Sequence, residues 1–421
     1  MAKRKHLIIG CGAAAFAAGQ RLRGLSPEDE VVMVTKENHL PYSLAALPYI
    51  ISGRIREADL WLADEDYLQK MGCSLVKGKE VTEVNPERKQ ISYKDGGREG
   101  YDSLLIASGS QPVMLSIKGL EEAGFATFHT LDDCRRLKQQ LTGKKDVAIY
   151  GGGLVATELA IALLEAGYGV RLIVRSRILR RYFDQDAGEM IEDILTGHGA
   201  QIYKGTQIEE VKKSRNRIEI ALSSGKAVDA DIIAIALGVR PSASFLEGSG
   251  VKMGDGVLVD HRMRTNLEDI YAAGDAAEAP DFLTGNPGLN PILPSAIDQG
   301  KVAGSNMAGE EADYEGWLPM NILSFFGHRA FSIGTRDSDG YQILKASDAQ
   351  KKQYKKLAYK DDRLVGASFV DVDLFPGVFQ YLIRKKINLG QYAELLFQKP
   401  KEISTWLMLE AERKETLSLE V

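Results

Sequence analysis

The chain has 421 residues, too many for one ordinary hydrophobic core, and its 44% apolar and 26% charged shares are those of a globular protein of two or three domains. A formal charge of −5 argues against a nucleic-acid partner, which needs a basic face. Cys11, Cys73 and Cys134 lie far apart with no CxxC, which excludes a secreted disulfide scaffold and leaves too few thiolates for an iron–sulfur cluster. The six histidines show no metal-ligand spacing, so no metal site is expected, and the chain reads as cytoplasmic.

Lys3-Arg4-Lys5 and the apolar stretch 7–19 imitate the opening of a signal peptide, but the stretch is too short to span a bilayer. A different pattern explains it. The run HLIIGCGAAAFAAGQRLRG predicts a strand over 6–9, a glycine turn and a small-residue helix to about Arg23; VVMVT then predicts a strand over 31–35. The pattern returns in DVAIYGGGLVATELAIALLEAGYGVRLIVRS, with a strand over 147–150, a helix to about Ala166 and a strand over 170–174. Each turn reads G-x-G-x-x-A, with Gly10, Gly12 and Ala15 in one and Gly151, Gly153 and Ala156 in the other. The first glycine allows the tight turn, and the second lets backbone approach a pyrophosphate. The diphosphate then meets the N–H groups of the helix start, around Ala14 and Ala15 or Leu154 and Val155. A plain glycine-rich turn is the alternative for either copy. Two copies in matched context predict two bound dinucleotides.

Three later segments, YDSLLIASGSQP (101–112), ADIIAIALGVRP (230–241) and DIYAAGDAAE (269–278), follow in an order and spacing that resemble the pyridine nucleotide–disulfide oxidoreductase superfamily. The resemblance runs from Leu7 to about Gly309. It implies FAD on the first glycine turn, NAD(P)H on the second, and Asp275 beside Gly274 holding the ribityl or phosphate end of the flavin. It further implies an FAD set of Glu37, Tyr42, Val81, Ala107, Ser108 and Gly109. LPSAIDQGKVAGSNMAG (293–309), with Ser295 and Ala296, resembles the helix whose N-terminus lies near the pyrimidine end of the flavin. Gly238 closes the ALGVRP turn, and Glu158 matches a glutamate near the nicotinamide. Simple turn formation is the alternative for Ser108, Gly109 and Gly238, as is a helix-surface carboxylate for Glu158.

The departures from the family narrow the chemistry. Disulfide reductases carry CxxxxC after the first unit and related oxidases one cysteine, whereas this chain reads LPYSLAALPYIISG with Ala45 at the single-cysteine position. Thiol-based disulfide reduction and sulfenate cycling therefore fall away. PYS-x-x-x-LP resembles the rubredoxin, ferredoxin and nitrite reductase branch, although Leu44 stands where that branch often has Lys or Arg. The ribose-binding acid is displaced from position 35, a threonine, to Glu37. The second unit ends Ile173-Val174-Arg175-Ser176-Arg177, where an arginine can meet a 2′-phosphate; Arg175 stacking on adenine and a solvated Arg177 or Arg180 are the alternatives, and NAD against NADP stays open.

The expected fold is α/β: two Rossmann-like dinucleotide-binding domains, one inserted in the other, plus a C-terminal α+β interface domain. The FAD-binding domain takes 1–112 and 242–316, the NAD(P)-binding domain 113–241, and the interface domain 317–421, where apolar alternation and the Lys360-Asp361-Asp362 turn predict an antiparallel sheet with flanking helices. The tail ISTWLMLEAERKETLSLEV carries Trp406, Leu407 and Leu409 beside many charges; ordinary docking on its own domain is the expectation, and a partner-binding helix is the alternative. The function this implies is an FAD-dependent NAD(P)H oxidoreductase exchanging hydride with nicotinamide and single electrons with an iron–sulfur carrier or subunit. The resemblance implies that the interface domain serves dimerisation, and similar flavoproteins serve as subunits of aldehyde or 2-oxoacid oxidoreductase complexes, so a homodimer or a hetero-oligomer subunit is expected. Hydride transfer needs no acid, base or nucleophile, so no catalytic side chain is named. The rival readings are a stand-alone NAD(P)H oxidase or quinone or dye reductase, and a non-catalytic FAD-binding scaffold.

Overall fold

Both sides of the first apolar run are buried, as a central parallel strand requires: Leu7 and Ile9 join one core cluster and Ile8 another. In the computed structural model, which describes residues 3–214 and 217–419, this run is the strand Lys5–Ile9. It pairs in parallel with Glu30–Val34 on one side, Leu7 opposite Val32, and with Ser103–Ile106 on the other, Leu7 opposite Leu104. Cys73–Val76 and Ile270–Ala272 complete a five-stranded parallel sheet.

The chain divides into two compact units. The first takes 1–113, 129–134 and 238–317, and the second takes 114–128, 135–237 and 318–421. In the first unit, helix Ala13–Leu25 lies against helix Leu293–Met307, and two glycines of the later helix set how closely. A Cβ on Gly300 would stand 2.2 Å from the Ala14 carbonyl oxygen, and one on Gly304 would stand 2.7 Å from that of Ala18. Val81–Asn85, Gln90–Tyr93 and Arg98–Gly100 form a small antiparallel sheet beside this core.

The second unit repeats the arrangement. Asp146–Tyr150 lies between Gly169–Val174 and Ile232–Ile235, with Ala200–Lys204 and Ala126–Thr127 at the edges, all parallel. The C-terminal stretch is the expected antiparallel sheet, ordered Met320–Phe325, His328–Gly334, Arg363–Val370, Gln353–Lys360 and Gln342–Asp348. Asp361 and Asp362 both take positive φ between Lys360 and Arg363, the two-residue hairpin turn that matches strand twist. Helix Gln185–Gly197 packs on this sheet through Ile191 and Ile194 against Phe325 and Tyr354. Asp184 starts that helix, taking the Ala187 N–H on Oδ1 and the Tyr354 hydroxyl on Oδ2 at 2.7 Å.

Of Trp406, Leu407 and Leu409, the tail docks through one. Leu407 of helix Pro400–Leu419 is 5% exposed, while Trp406 and Leu409 are 39% and 55% exposed. Consecutive residues on a helix point about 100° apart, so Leu407 turns inward with Ser404 while its neighbours face solvent.

Candidate functional site

Each glycine turn leaves its parallel sheet at the point where strand order reverses, the crevice where open α/β sheets bind ligands. Gly10 has φ +115°, and a Cβ there would lie 2.1 Å from the Ala107 carbonyl oxygen at the end of the neighbouring strand. Gly151 has φ +148°, and its Cβ would lie 2.0 Å from the Ala236 carbonyl oxygen. Only glycine fits at either place, and for the same reason.

Gly12 and Gly153 behave differently. Each is the N-cap of the helix that follows, and among the described residues no side chain caps either helix. A Cβ on either would meet nothing within 4 Å among the described residues. Open space ahead of uncapped N–H groups is the cradle a diphosphate needs, and a side chain there would fill it. The fold itself leaves room for a side chain at the second glycine of each turn.

In the first unit the remaining expected residues gather at this end of the sheet. Ala107, Ser108 and Gly109 follow strand Ser103–Ile106, and Gly238 precedes Val239–Pro241, which pairs antiparallel with Ser110–Pro112. The Ser108 Oγ is buried without a partner among the described residues, as an atom reserved for a bound group would be. Asp275 follows strand Ile270–Ala272, and its Oδ2 accepts the Ser110 hydroxyl at 2.7 Å. Burial pushes its carboxyl above the usual range. The Gly274 N–H donates to Gln299 Oε1 at 2.8 Å, which ties the Asp275 turn to helix Leu293–Met307. At the start of that helix, Ser295 is buried and accepts from Asn290 Nδ2 at 2.9 Å, and Ala296 lies near Gly274.

Glu37 is half-buried and its Oε2 accepts the Tyr42 hydroxyl at 2.7 Å. Burial and the Glu37 carboxylate push the Tyr42 phenol far up, and its oxygen also accepts the Leu131 N–H. Glu37 is therefore held in place rather than waving in solvent. Val81 is half-buried on its small sheet, partly packed on the core. Leu44 and Ala45 are both exposed on the short turn Leu44–Ala46.

In the second unit, Leu154 and Val155 open helix Leu154–Glu165, with Val155 39% exposed. Glu158 is not a surface carboxylate. It is half-buried, and burial alone lifts its carboxyl to about 7. Arg175 is exposed just after strand Gly169–Val174. Arg177 is half-buried rather than solvated, and its Nη2 donates to the Phe183 carbonyl at 2.8 Å. It braces a loop, whereas Arg175 and Arg180 are both exposed.

Ser110, Gln299 and His129 went unnamed in the sequence reading. Ser110 and Gln299 stand inside quoted motifs, SGSQP and LPSAIDQG, and their polar side chains were the available signal. His129 donates from Nε2 to the Ser110 carbonyl at 2.9 Å and offers no sequence signal at all. Among the described residues there is no cluster of His, Cys, Asp or Glu that could hold a metal ion, and no helix is long and apolar enough to cross a membrane.

Comparison with known proteins agrees with this geometry. The pyridine nucleotide-disulphide oxidoreductase family matches residues 4–300, and the C-terminal domain of rubredoxin NAD+ reductase matches 319–387. The chain is 32% identical over 409 residues to the NADH-dependent phenylglyoxylate dehydrogenase subunit epsilon of Aromatoleum evansii, covering 96% of this chain and 97% of that one. It is 30% identical over 376 residues to the NADH-rubredoxin oxidoreductase of Clostridium acetobutylicum, covering 89% and 93%. A chain of the covalent putidaredoxin reductase–putidaredoxin complex superposes with a TM-score of 0.89 at 21% identity, over 98% of this chain and 100% of that one, a likeness of fold. With matched glycine turns on two parallel sheets and a family match over most of its length, the chain belongs to the pyridine nucleotide-disulphide oxidoreductases and is an oxidoreductase of FAD and NAD(P)H.

Proposed function

We propose that the first unit holds FAD, the second holds NAD(P)H, and electrons leave singly to an iron–sulfur protein or subunit. The observation that carries this reading is the state of the thiols. All three cysteines are buried, and burial pushes Cys11 up to about 11 and Cys73 up to about 12. Ala45, at the position where thiol-dependent relatives carry cysteine, offers no sulfur. Electrons then have no side-chain relay and leave from the flavin. NADH-rubredoxin oxidoreductase and a dehydrogenase subunit among the relatives support a protein acceptor.

When bound, FAD supplies hydride acceptance from nicotinamide and single-electron release. The chain supplies binding and orientation. Gly10 and Gly12 admit the diphosphate to the N–H groups of Ala14 and Ala15, and Glu37 takes the adenosine ribose with Tyr42 holding its second oxygen. Ser108 and Asp275 take the ribityl or phosphate end. The start of helix Leu293–Met307 would offer its positive dipole end to the flavin, favouring the negative charge of its reduced form. In the second unit Gly151, Gly153, Leu154 and Val155 seat the other diphosphate, Glu158 meets the nicotinamide end and Arg175 the adenosine end.

The division into an FAD-binding domain (1–112, 242–316), an NAD(P)-binding domain (113–241) and an interface domain (317–421) belongs to the same proposal. It is supported by the repeated glycine turn and by the separate family match over 319–387. A cytoplasmic site suits three reduced, unpaired cysteines. The test reduces the holoprotein anaerobically with NADH or NADPH and mixes it with a rubredoxin, a ferredoxin, a quinone or oxygen. The proposal expects an iron–sulfur protein to reoxidise it fastest; oxygen or quinone exceeding every carrier would overturn it.

A further inference from the structure

The antiparallel sheet of the C-terminal stretch carries one rung that breaks its pattern. Toward helix Gln185–Gly197 it presents Ala330, Tyr354 and Val370, in one buried cluster with Ile191 and Ile194. On the same face, two residues along, Asn321, Ser332, Ser368 and Lys356 lie side by side on four adjacent strands. All four are buried. A buried polar group costs free energy unless it finds a partner. Asn321 Nδ2 donates to the Ser332 hydroxyl oxygen at 3.4 Å, which leaves the Ser332 proton free to point elsewhere. Lys356 Nζ donates to the Arg336 carbonyl at 2.7 Å and to the Ser338 hydroxyl at 3.1 Å, and lies 3.4 Å from Asp184 Oδ2. The Ser368 hydroxyl has no partner among the described residues.

Ser332, Ser368 and Lys356 line a cavity that Tyr182, Thr335 and Arg336 close, with about 10 Å³ of free volume, room for one water-sized occupant. Two cations stand in its wall, Lys356 and Arg336, and among the described residues no carboxylate does. Lys356 is offset by Asp184. Arg336 is not: its Nη1 donates to the Arg180 carbonyl at 3.0 Å, and Asp337, 3.7 Å off, is largely solvated. Burial, with Arg336 and Arg180 near it, holds Arg177 below the ordinary guanidinium range despite Asp184. The wall thus offers hydroxyl protons and uncompensated positive charge, which is the donor set of an anion site. We propose that this cavity binds one monovalent inorganic anion of halide size on the Ser332 and Ser368 hydroxyls. Arg336, exposed at the rim, marks the way in. A sulfate or phosphate is too large for the space.

Chloride is the probe. Its NMR line broadening is read on the FAD-loaded full chain as sodium chloride replaces sodium gluconate at constant ionic strength. Wild type should show a saturable broadening that bromide displaces and sulfate does not. Ser368→Val removes the unpaired hydroxyl and fills the space, and should weaken chloride binding by about tenfold or more. Ser332→Ala should weaken it too, and decides the matter if Ser368→Val does not fold. Circular dichroism and flavin content show which variants are folded. Chloride at about ten times its dissociation constant should raise the unfolding midpoint of wild type by roughly 3–6 °C over gluconate, an increment absent from Ser368→Val. Broadening that never saturates, that yields to sulfate, or that persists unchanged in the folded variants overturns the proposal. A cavity that holds only water gives the first of these results.

Discussion

Glu158 gives the sharpest physical test. Its carboxyl stands at about 7 in the folded chain against an ordinary 4.5, and burial is the cause. The folded state therefore binds a proton that the unfolded state has released across that window. Stability from this group is fully present below pH 4.5 and is lost as pH rises through about 7. At roughly 1.4 kcal/mol per pH unit the shift corresponds to about 3 kcal/mol, and partial exposure brings the realised figure nearer 2. Glu158→Gln keeps the shape and removes the titration. Calorimetry of the coenzyme-free protein between pH 5 and 8.5 should show the variant gaining on wild type as pH rises. For a unit of this size, the gain amounts to roughly 4–9 °C in the transition it affects. Parallel pH profiles for the two proteins, offset by a constant, would show that Glu158 is solvated and would refute the reasoning.

The two glycines of one turn should separate fold from ligand. Gly10→Ala, which would drive a Cβ to 2.1 Å from Ala107 O at φ +115°, should cost about 1–3 kcal/mol and disturb folding. Gly12→Ala should fold normally and lose FAD, read by its absorbance; full flavin content in folded Gly12→Ala would contradict the cradle. Asp275→Ala should lose flavin while Glu158→Ala retains it, and the reverse pattern would exchange the two nucleotide assignments. Buried His6, whose Nε2 donates to Asp29 Oδ2 while Nδ1 accepts from the Ser103 hydroxyl, is held below the ordinary histidine range chiefly by burial. Its contribution is present above pH 6.5 and lost as pH falls, so His6→Asn should flatten the acid side of the stability profile. In native protein at pH 8 a thiol reagent should find no fast cysteine, and three after denaturation.

What could be read in advance was what depends on neighbours in sequence. Both glycine turns, their flanking strands and helices, and the Asp361-Asp362 hairpin follow from short-range rules of period, turn geometry and close approach. The long-range consequences were hidden. Gly300 and Gly304 read as a small-residue helix, and their purpose shows only once the Ala14 and Ala18 carbonyls lie beneath them. The Ser110–Asp275 bond joins residues 165 apart, and residues 129–134 belong to the first unit although the chain on either side belongs to the second. Which of Trp406, Leu407 and Leu409 turns inward was not legible, because a run of apolar residues does not fix the helix face.

The central claim is that electrons leave the flavin without help from sulfur. Anaerobic stopped-flow mixing of NAD(P)H with a Cys73→Ser, Cys134→Ser double variant tests it most directly, followed by a second mix with an oxidised iron–sulfur protein. Cys11 stays in place because it lies within the glycine turn itself, where a change in flavin binding would be confounded with a change in electron transfer. The account predicts flavin reduction and acceptor reduction at wild-type rates, with two acceptor equivalents reduced per NAD(P)H. A variant whose flavin is reduced at the normal rate but then fails to pass electrons on would contradict it, because a buried cysteine would then be relaying them.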